Sequence, residues 1–144
     1  MDKEKWIPRE IREKIRILVV EDNVLNQKLD RYILTGWGLR HDVCDNGRKA
    51  VDRLKIARFD LVLMDVRMPE LNGYEATWII RYDLGLDVPI IGITAHANEE
   101  EKRRCLEAGM NSYLSKPVDE EMLYSLVCGF LIPEEVGNAE EEEE

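Results

Sequence analysis

The apolar positions of this chain follow two different periods. Arg16–Val20 and residues 60–64 and 88–94 are short runs rich in valine, isoleucine and leucine, without polar alternation. Runs of that length and composition suit strands covered on both faces, as in a parallel sheet. Residues 39–44 and Ser112–Ser115 are shorter candidates for two more strands. Between the runs the period becomes helical. Leu25, Leu29 and Ile33 fall at i, i+4 and i+8, and Gly36 or Gly38 closes that helix. Ala50, Val51, Leu54 and Ala57 form a second stripe, and Tyr74, Thr77 and Ile80 a third. Met122, Leu123, Leu126, Val127 and Phe130 form a fifth, with Asp119 placed as its N-cap. The fourth helix, residues 98–108, is the exception. Only Ala97, Cys105, Leu106 and Ala108 are available to face a core, so it is expected to be the most easily displaced.

Strand and helix in strict alternation predict an α/β fold, a doubly wound five-stranded parallel sheet of order 2-1-3-4-5 with five flanking helices. The domain itself is expected over residues 15–132. Residues 1–14, with Trp6, Ile7, Pro8 and Ile11, read as a short docking helix or a linker. Residues 133–144 read as a disordered acidic tail, since like charges repel and little apolar surface is offered.

Charge narrows the function classes. The 144 residues carry 20 Lys plus Arg against 30 Asp plus Glu, a net charge of −10. Seven of those acids (Glu134, Glu135 and Glu140 to Glu144) lie in the tail, so the body is close to balance. No clustered basic surface for nucleic acid is expected. No run approaches the roughly 20 apolar residues of a membrane span, so no membrane contact is expected. The amino terminus lacks the apolar segment of a secretory signal. Cys44, Cys105 and Cys128 are odd in number and lack C-x-x-C spacing, which favours buried thiols and a reducing, cytoplasmic location.

In doubly wound sheets, ligands bind where the carboxyl ends of the strands meet at the switch point. Here the first strand ends in Glu21-Asp22-Asn23, the third in Asp65, the fourth in Thr94-Ala95 and the fifth in Lys116-Pro117. The second ends in Asp45-Asn46-Gly47, which reads as turn and cap chemistry. Like charges about 4 Å apart repel by ~4 kcal/mol at an effective dielectric near 20, so three gathered carboxylates call for a cation. Oxygen ligands favour Mg²⁺ over Zn²⁺. A metal, the Lys116 ammonium and the Thr94 hydroxyl around one carboxylate make a cradle for a phosphoryl group. Asp65, lying between the acidic pair and the lysine, is the best candidate for the nucleophile.

With these residues in view, the sequence resembles the receiver domain of two-component response regulators. The match runs from about Ile15 to Leu131 and rests on Val-Val-Glu-Asp-Asn (19–23), Leu-Met-Asp-Val-Arg-Met-Pro-Glu-Leu-Asn-Gly (63–73), Ile-Thr-Ala-His-Ala (93–97) and Tyr-Leu-Ser-Lys-Pro (113–117). Cys-Leu-Glu-Ala-Gly-Met (105–110) is most like receivers attached to hybrid histidine kinases. The resemblance implies that Asp65 accepts a phosphoryl group from a phosphohistidine donor, on a histidine kinase or a histidine phosphotransfer protein. Asp22 would bind Mg²⁺ directly, Glu21 through water, and the main-chain carbonyl of Arg67 would complete the protein ligands. Lys116 would contact phosphoryl oxygens, Thr94 would move to hydrogen-bond one of them, and Tyr113 would swing inward. The Lys116–Pro117 peptide is expected to be cis, an isomer that costs as little as ~1 kcal/mol only before proline. Arg67 and His96 would flank the path of the hydrolytic water and tune the lifetime of the phosphorylated state. A homodimer through the fourth and fifth helices is a further possibility within this resemblance.

Rival readings fit less well. A haloacid dehalogenase-type phosphatase needs a second aspartate two residues after the first, where this chain has Arg67. A flavodoxin would want a hydroxyl- and glycine-rich loop where Glu21-Asp22 stands. A non-phosphorylated pseudo-receiver would lack one of Asp22, Asp65, Thr94 or Lys116. The expectation is therefore a self-phosphorylating switch that also hydrolyses its own phosphoryl group, either stand-alone or part of a hybrid histidine kinase. Gly36-Trp37-Gly38 is read as a helix terminator, and His41 as a surface or half-buried residue.

Overall fold

The computed structural model describes residues 7–132. Along the chain it places α1 (Arg9–Lys14), β1 (Arg16–Val20), α2 (Val24–Gly36), β2 (Arg40–Cys44), α3 (Gly47–Ile56), β3 (Leu61–Asp65), α4 (Gly73–Trp78), β4 (Ile90–Thr94), α5 (Glu99–Ala108), β5 (Ser112–Ser115) and α6 (Glu120–Leu131). The five strands are parallel and ordered β2-β1-β3-β4-β5, the expected sequence. Six α-helices flank them rather than five, because the segment before the first strand contributes α1. The fourth strand starts at Ile90 rather than 88; Pro89 has no N–H for a ladder and offers its carbonyl to the Val62 amide at 2.9 Å.

The apolar residues divide into two layers. On one face Ile17, Val19, Leu61, Leu63 and Ile91 pack with Ile33, Leu34 and Trp37 of the α2 end and Leu123, Tyr124 and Val127 of α6. Ile7 and Ile15 are buried in this layer too, so α1 docks on the core. On the other face Leu18, Val20, Val62, Met64 and Ile90 pack with Ala50, Val51 and Leu54 of α3, Ala76 and Ile80 around α4, and Cys105 of α5. The acidic tail lies outside the described residues.

Three expected stripes need correction. Leu25 and Leu29 are solvent-exposed, Leu25 at 75%. A step of four residues drifts 40° around a helix, so Leu25 lies about 80° from Ile33, and the core face of α2 is carried by Ile33 and Leu34. Met122 is exposed in the first turn of α6, whose core face is carried by Leu123, Tyr124 and Val127. Ala97, just before α5, and Leu106 within it face solvent; the side chains buried with Cys105 include the carboxylate of Glu101.

Each of the five βα connections ends in an asparagine or aspartate N-cap. Asn23, Asn46, Asn72, Asn98 and Asp119 accept the backbone N–H three residues on, at 2.8–3.0 Å. These caps start every helix from α2 to α6 directly at the carboxyl edge of the sheet. At the other end of α2, Gly38 adopts φ +77°, and the Gly38 and Leu39 amides return to Thr35 and Leu34. That left-handed turn makes it the terminator. α4 continues into one π turn, Ile79–Asp83, closed by the Leu84 amide on the Ile79 carbonyl at 3.0 Å. Arg81 there clamps the sheet's far end, donating to the Gly109 and Leu86 carbonyls and to Asn111 Oδ1.

Candidate functional site

β1 and β3 are neighbours, with Val20 in register with Met64, so the residues following β1 and the last residue of β3 come together. Carboxylate oxygens of Glu21, Asp22 and Asp65 lie within 4.8 Å of one another. Asp65 is almost fully buried, 2% exposed, and so is Glu21, whereas Asp22 is open to solvent. The backbone holds the buried pair in place. Arg67 N–H donates to Asp65 Oδ1 at 3.1 Å, Asn23 N–H donates to Glu21 Oε2 at 3.1 Å, and Gln27 Nε2 donates to the Glu21 carbonyl at 2.6 Å.

Lys116 reaches in from the end of β5. Its Nζ lies 3.1 Å from Asp65 Oδ2 and 3.7 Å from Glu21 Oε1. The Lys116–Pro117 peptide is cis. Burial lowers the lysine's proton affinity, but Asp65, with Glu21 and Asp22 behind it, reverses this and leaves it above its ordinary value. One ammonium does not balance the acids. Burial first, then the hydrogen bonding and charge of Asp65, push the Glu21 carboxyl from 4.5 up to about 7, against the opposing pull of the Asn23 amide and Lys116. The pocket thus holds negative charge in excess of its protein cations.

The loop after Asp65 returns to the same spot. Gly73 N–H donates to the Val66 carbonyl at 3.1 Å, and a Cβ at Gly73 would stand 2.4 Å from the Asp65 carbonyl oxygen. Only glycine allows that approach. Glu70, at the tip of this loop, adopts φ +67°. Thr94 ends β4, buried, beside Ile93, which is in register with Asp65. Its hydroxyl donates to the His96 carbonyl and accepts the His96 amide, both at 3.2 Å. Tyr113 is half-buried on β5, in register with Gly92 of β4. The side chains of Arg67 and His96 are exposed at the rim. Asp45 is not part of the acidic cluster; it pairs with Lys49 at 3.0 Å while Asn46 caps α3.

Three features of this edge escaped the sequence reading. Asp30, on the inner side of α2, has its carboxyl pushed up to about 6 by burial and by Asp65, with Lys116 opposing. Val24, Leu25, Leu29 and Tyr32 form an exposed apolar face on α2, starting two residues after Asp22; Tyr32 is 77% exposed. Tyr74, next to Gly73, donates its hydroxyl to the buried Glu101 carboxylate of α5. The helical stripe of Leu25 and Leu29 was visible, but its period does not say which side meets the sheet.

Among the described residues, no helix is long and apolar enough to cross a membrane. A family model, the response regulator receiver domain, matches residues 17–127. The chain is 38% identical over 122 residues to the two-component response regulator 24 of Arabidopsis thaliana, covering 84% of this chain and 87% of that protein. It is equally 38% identical over 120 residues to hybrid signal transduction histidine kinase I of Dictyostelium discoideum, covering 78% of this chain but only 7% of the kinase. Among solved structures, the receiver domain of sensor histidine kinase PA1611 from Pseudomonas aeruginosa, with a magnesium ion coordinated in its active site cleft, superposes with a TM-score of 0.75. It is 40% identical and covers 81% of this chain and 97% of that one. The receiver domain of the Saccharomyces cerevisiae response regulator Ssk1, solved with the histidine phosphotransfer protein Ypd1, gives 0.77 at 32% identity, over 82% of this chain and 89% of that one. With sequence, topology and strand-end residues in agreement, the chain belongs to the response regulator receiver domain family of two-component signalling.

Proposed function

We propose that the chain is a phosphoaccepting receiver, in which Asp65 takes a phosphoryl group from a phosphohistidine in a Mg²⁺-dependent reaction. The observation that carries this reading is the convergence of Glu21, Asp22, Asp65 and Lys116, from the ends of three different strands, on one excess negative pocket. The donor set fits Mg²⁺, being all oxygen with one carboxylate, Asp22, open to water. Asp22 and Asp65 would hold the ion directly, Glu21 through water, with the main-chain carbonyl of Arg67 as a further ligand. When bound, Mg²⁺ supplies neutralisation of the acids and of the incoming phosphoryl oxygens.

An Asp65 oxygen attacks phosphorus as the N–P bond to the donor imidazole breaks. Lys116, already 3.1 Å from Asp65, pairs with the charge of the transferred group. Thr94 would have to release the His96 carbonyl to donate to a phosphoryl oxygen, since its one proton is engaged there. That rotation vacates space towards which Tyr113 turns. Water attack later reverses the modification, with Arg67 and His96 at its approach.

The donor's partner surface is the apolar face of α2. Val24, Leu25, Leu29 and Tyr32 lie on the helix that starts two residues after Asp22 and are exposed among the described residues, which suits the flank of a histidine phosphotransfer protein or kinase domain. The reading places the domain in the cytoplasm, in keeping with three free cysteines. A second copy would pair through the α5 and α6 face. The decisive experiment is intact-mass spectrometry after a small-molecule phosphodonor and Mg²⁺. One added phosphoryl group is expected on the wild type and none on Asp65→Asn; full labelling of the variant sinks the assignment.

A further inference from the structure

Among the described residues of α5, the buried side chains are Glu101 and Cys105. A helix attached by a carboxylate and a thiol has little apolar area to hold it, so the polar contact of Glu101 decides its position. Glu101 is 7% exposed, and it accepts the hydroxyl of Tyr74 from α4. Arg104, one turn along α5, stacks its guanidinium 4.4 Å from the Tyr74 ring centre, with Nη1 3.9 Å from Glu101 Oε2. The phenol and the carboxylate are thus enclosed by α4, α5 and the cation.

Both ends of this contact are short tethers to the site. Tyr74 follows Gly73, whose backbone is wedged against the Asp65 carbonyl. Glu101 has its own amide held by the cap residue Asn98, and Asn98 lies two residues beyond His96, the present partner of Thr94.

We propose that the Tyr74–Glu101 contact is a latch that holds α5 in its resting place, and that phosphorylation of Asp65 must open it. The inference rests on the phosphoacceptor reading above. If Thr94 leaves His96 for an oxygen on Asp65, residues 95–98 lose their anchor and α5 is drawn with them. The Asp65–Gly73–Tyr74 side stays fixed by the wedge. The strain then falls on the hydrogen bond between the two arms. Opening leaves a buried carboxylate without its donor, which resists the change until the phosphoryl group drives it. The latch therefore favours the resting state and lowers affinity for any phosphoryl mimic.

The test is a titration of the full chain with beryllofluoride in excess Mg²⁺, for the wild type and Tyr74→Phe. The phenylalanine keeps the ring under Arg104 and removes only the hydroxyl. The latch predicts that Tyr74→Phe binds the mimic roughly five-fold or more tightly than wild type, while faster amide exchange appears in α5 of the unliganded variant. General damage to the fold would weaken binding instead. Glu101→Gln is the second variant and is expected to shift affinity in the same direction. Equal or weaker binding in both folded variants overturns the latch. Absence of beryllofluoride binding by the wild type overturns the phosphoacceptor reading itself, a separate outcome.

Discussion

Lys116 and Asp65 stand 51 residues apart in sequence, yet the lysine Nζ donates to Asp65 Oδ2 at 3.1 Å. The pair is made by two strand ends, β3 and β5, with β4 lying between them. In the proposed reaction the lysine would serve the phosphoryl group and Asp22 the metal. Lys116→Ala is expected to retain Mg²⁺ affinity while losing the response to phosphorylation. Asp22→Ala should lose affinity for Mg²⁺ by tenfold or more, about 1.4 kcal/mol. Calorimetric titration of both variants checks the division, and equal losses would contradict it.

Crowded acids make the metal-free fold less stable than the metal-bound one. At ten times its Kd, Mg²⁺ should stabilise the wild type by about 1.4 kcal/mol through mass action. The thermal midpoint should rise with millimolar Mg²⁺ in the wild type and far less in Asp22→Ala. An equal rise in both would assign the effect to ions gathered elsewhere, the seven glutamates after Pro133 being the obvious place.

Asp30 gives the fold a pH dependence of definite sign. Its carboxyl is raised from 3.8 to about 6, so the folded state binds its proton more tightly than the unfolded chain does. The resulting stability is complete below pH 3.8 and is lost as pH rises through about 6. Asp30→Asn removes the penalty and should stabilise the protein at pH 7.5, by an amount on the order of 1–3 kcal/mol. Urea unfolding at pH 7.5 and pH 4 tests this; the gain should vanish at the lower pH.

Arg67 has its amide on Asp65 and its side chain at the open rim. Neither it nor His96 offers a carboxylate or amide to orient a hydrolytic water. Slow decay of the phosphorylated protein is expected, with Arg67→Asn decaying about tenfold faster, or ~1.4 kcal/mol of barrier. Decay measured in excess Mg²⁺ decides it; an unchanged or slower rate in the variant removes Arg67 from control of the hydrolysis.

On α2, Leu25→Asp and Tyr32→Ala should cut the rate of transfer from a phosphohistidine protein roughly tenfold, since buried aromatic anchors dominate interfaces. Labelling by a small phosphodonor should be untouched, because these exposed side chains are not among the carboxylates and lysine that form the pocket. Loss of both activities would indicate damage to the fold.

The topology and the four strand-end residues could be read from the chain because they depend on local runs, on the right-handed crossover and on the switch-point rule. Unbroken apolar runs located β1, β3 and β4 within two residues. The inner face of α2 could not be read that way, since Leu25 and Ile33 belong to overlapping stripes and only the sheet's position chooses between them. Burial of Glu101 and Asp30 was likewise hidden. A carboxylate in a charged helix looks like solvent-facing surface until the neighbour that encloses it, Tyr74 or the Lys116 corner, is known.

Ile7, just before the helix that precedes β1, is 1% exposed, and Ile11 packs against the same layer of α2 and α6 residues. A shortened chain starting at Ile15, two residues before the family match begins at Ile17, would keep the whole sheet and every site residue. It would also remove Ile7 and Ile11 from the apolar layer that includes Trp37, Tyr124 and Leu131. Such a fragment would carry the full acidic pocket and be colloidally poor, sticking to itself at concentrations the longer chain tolerates.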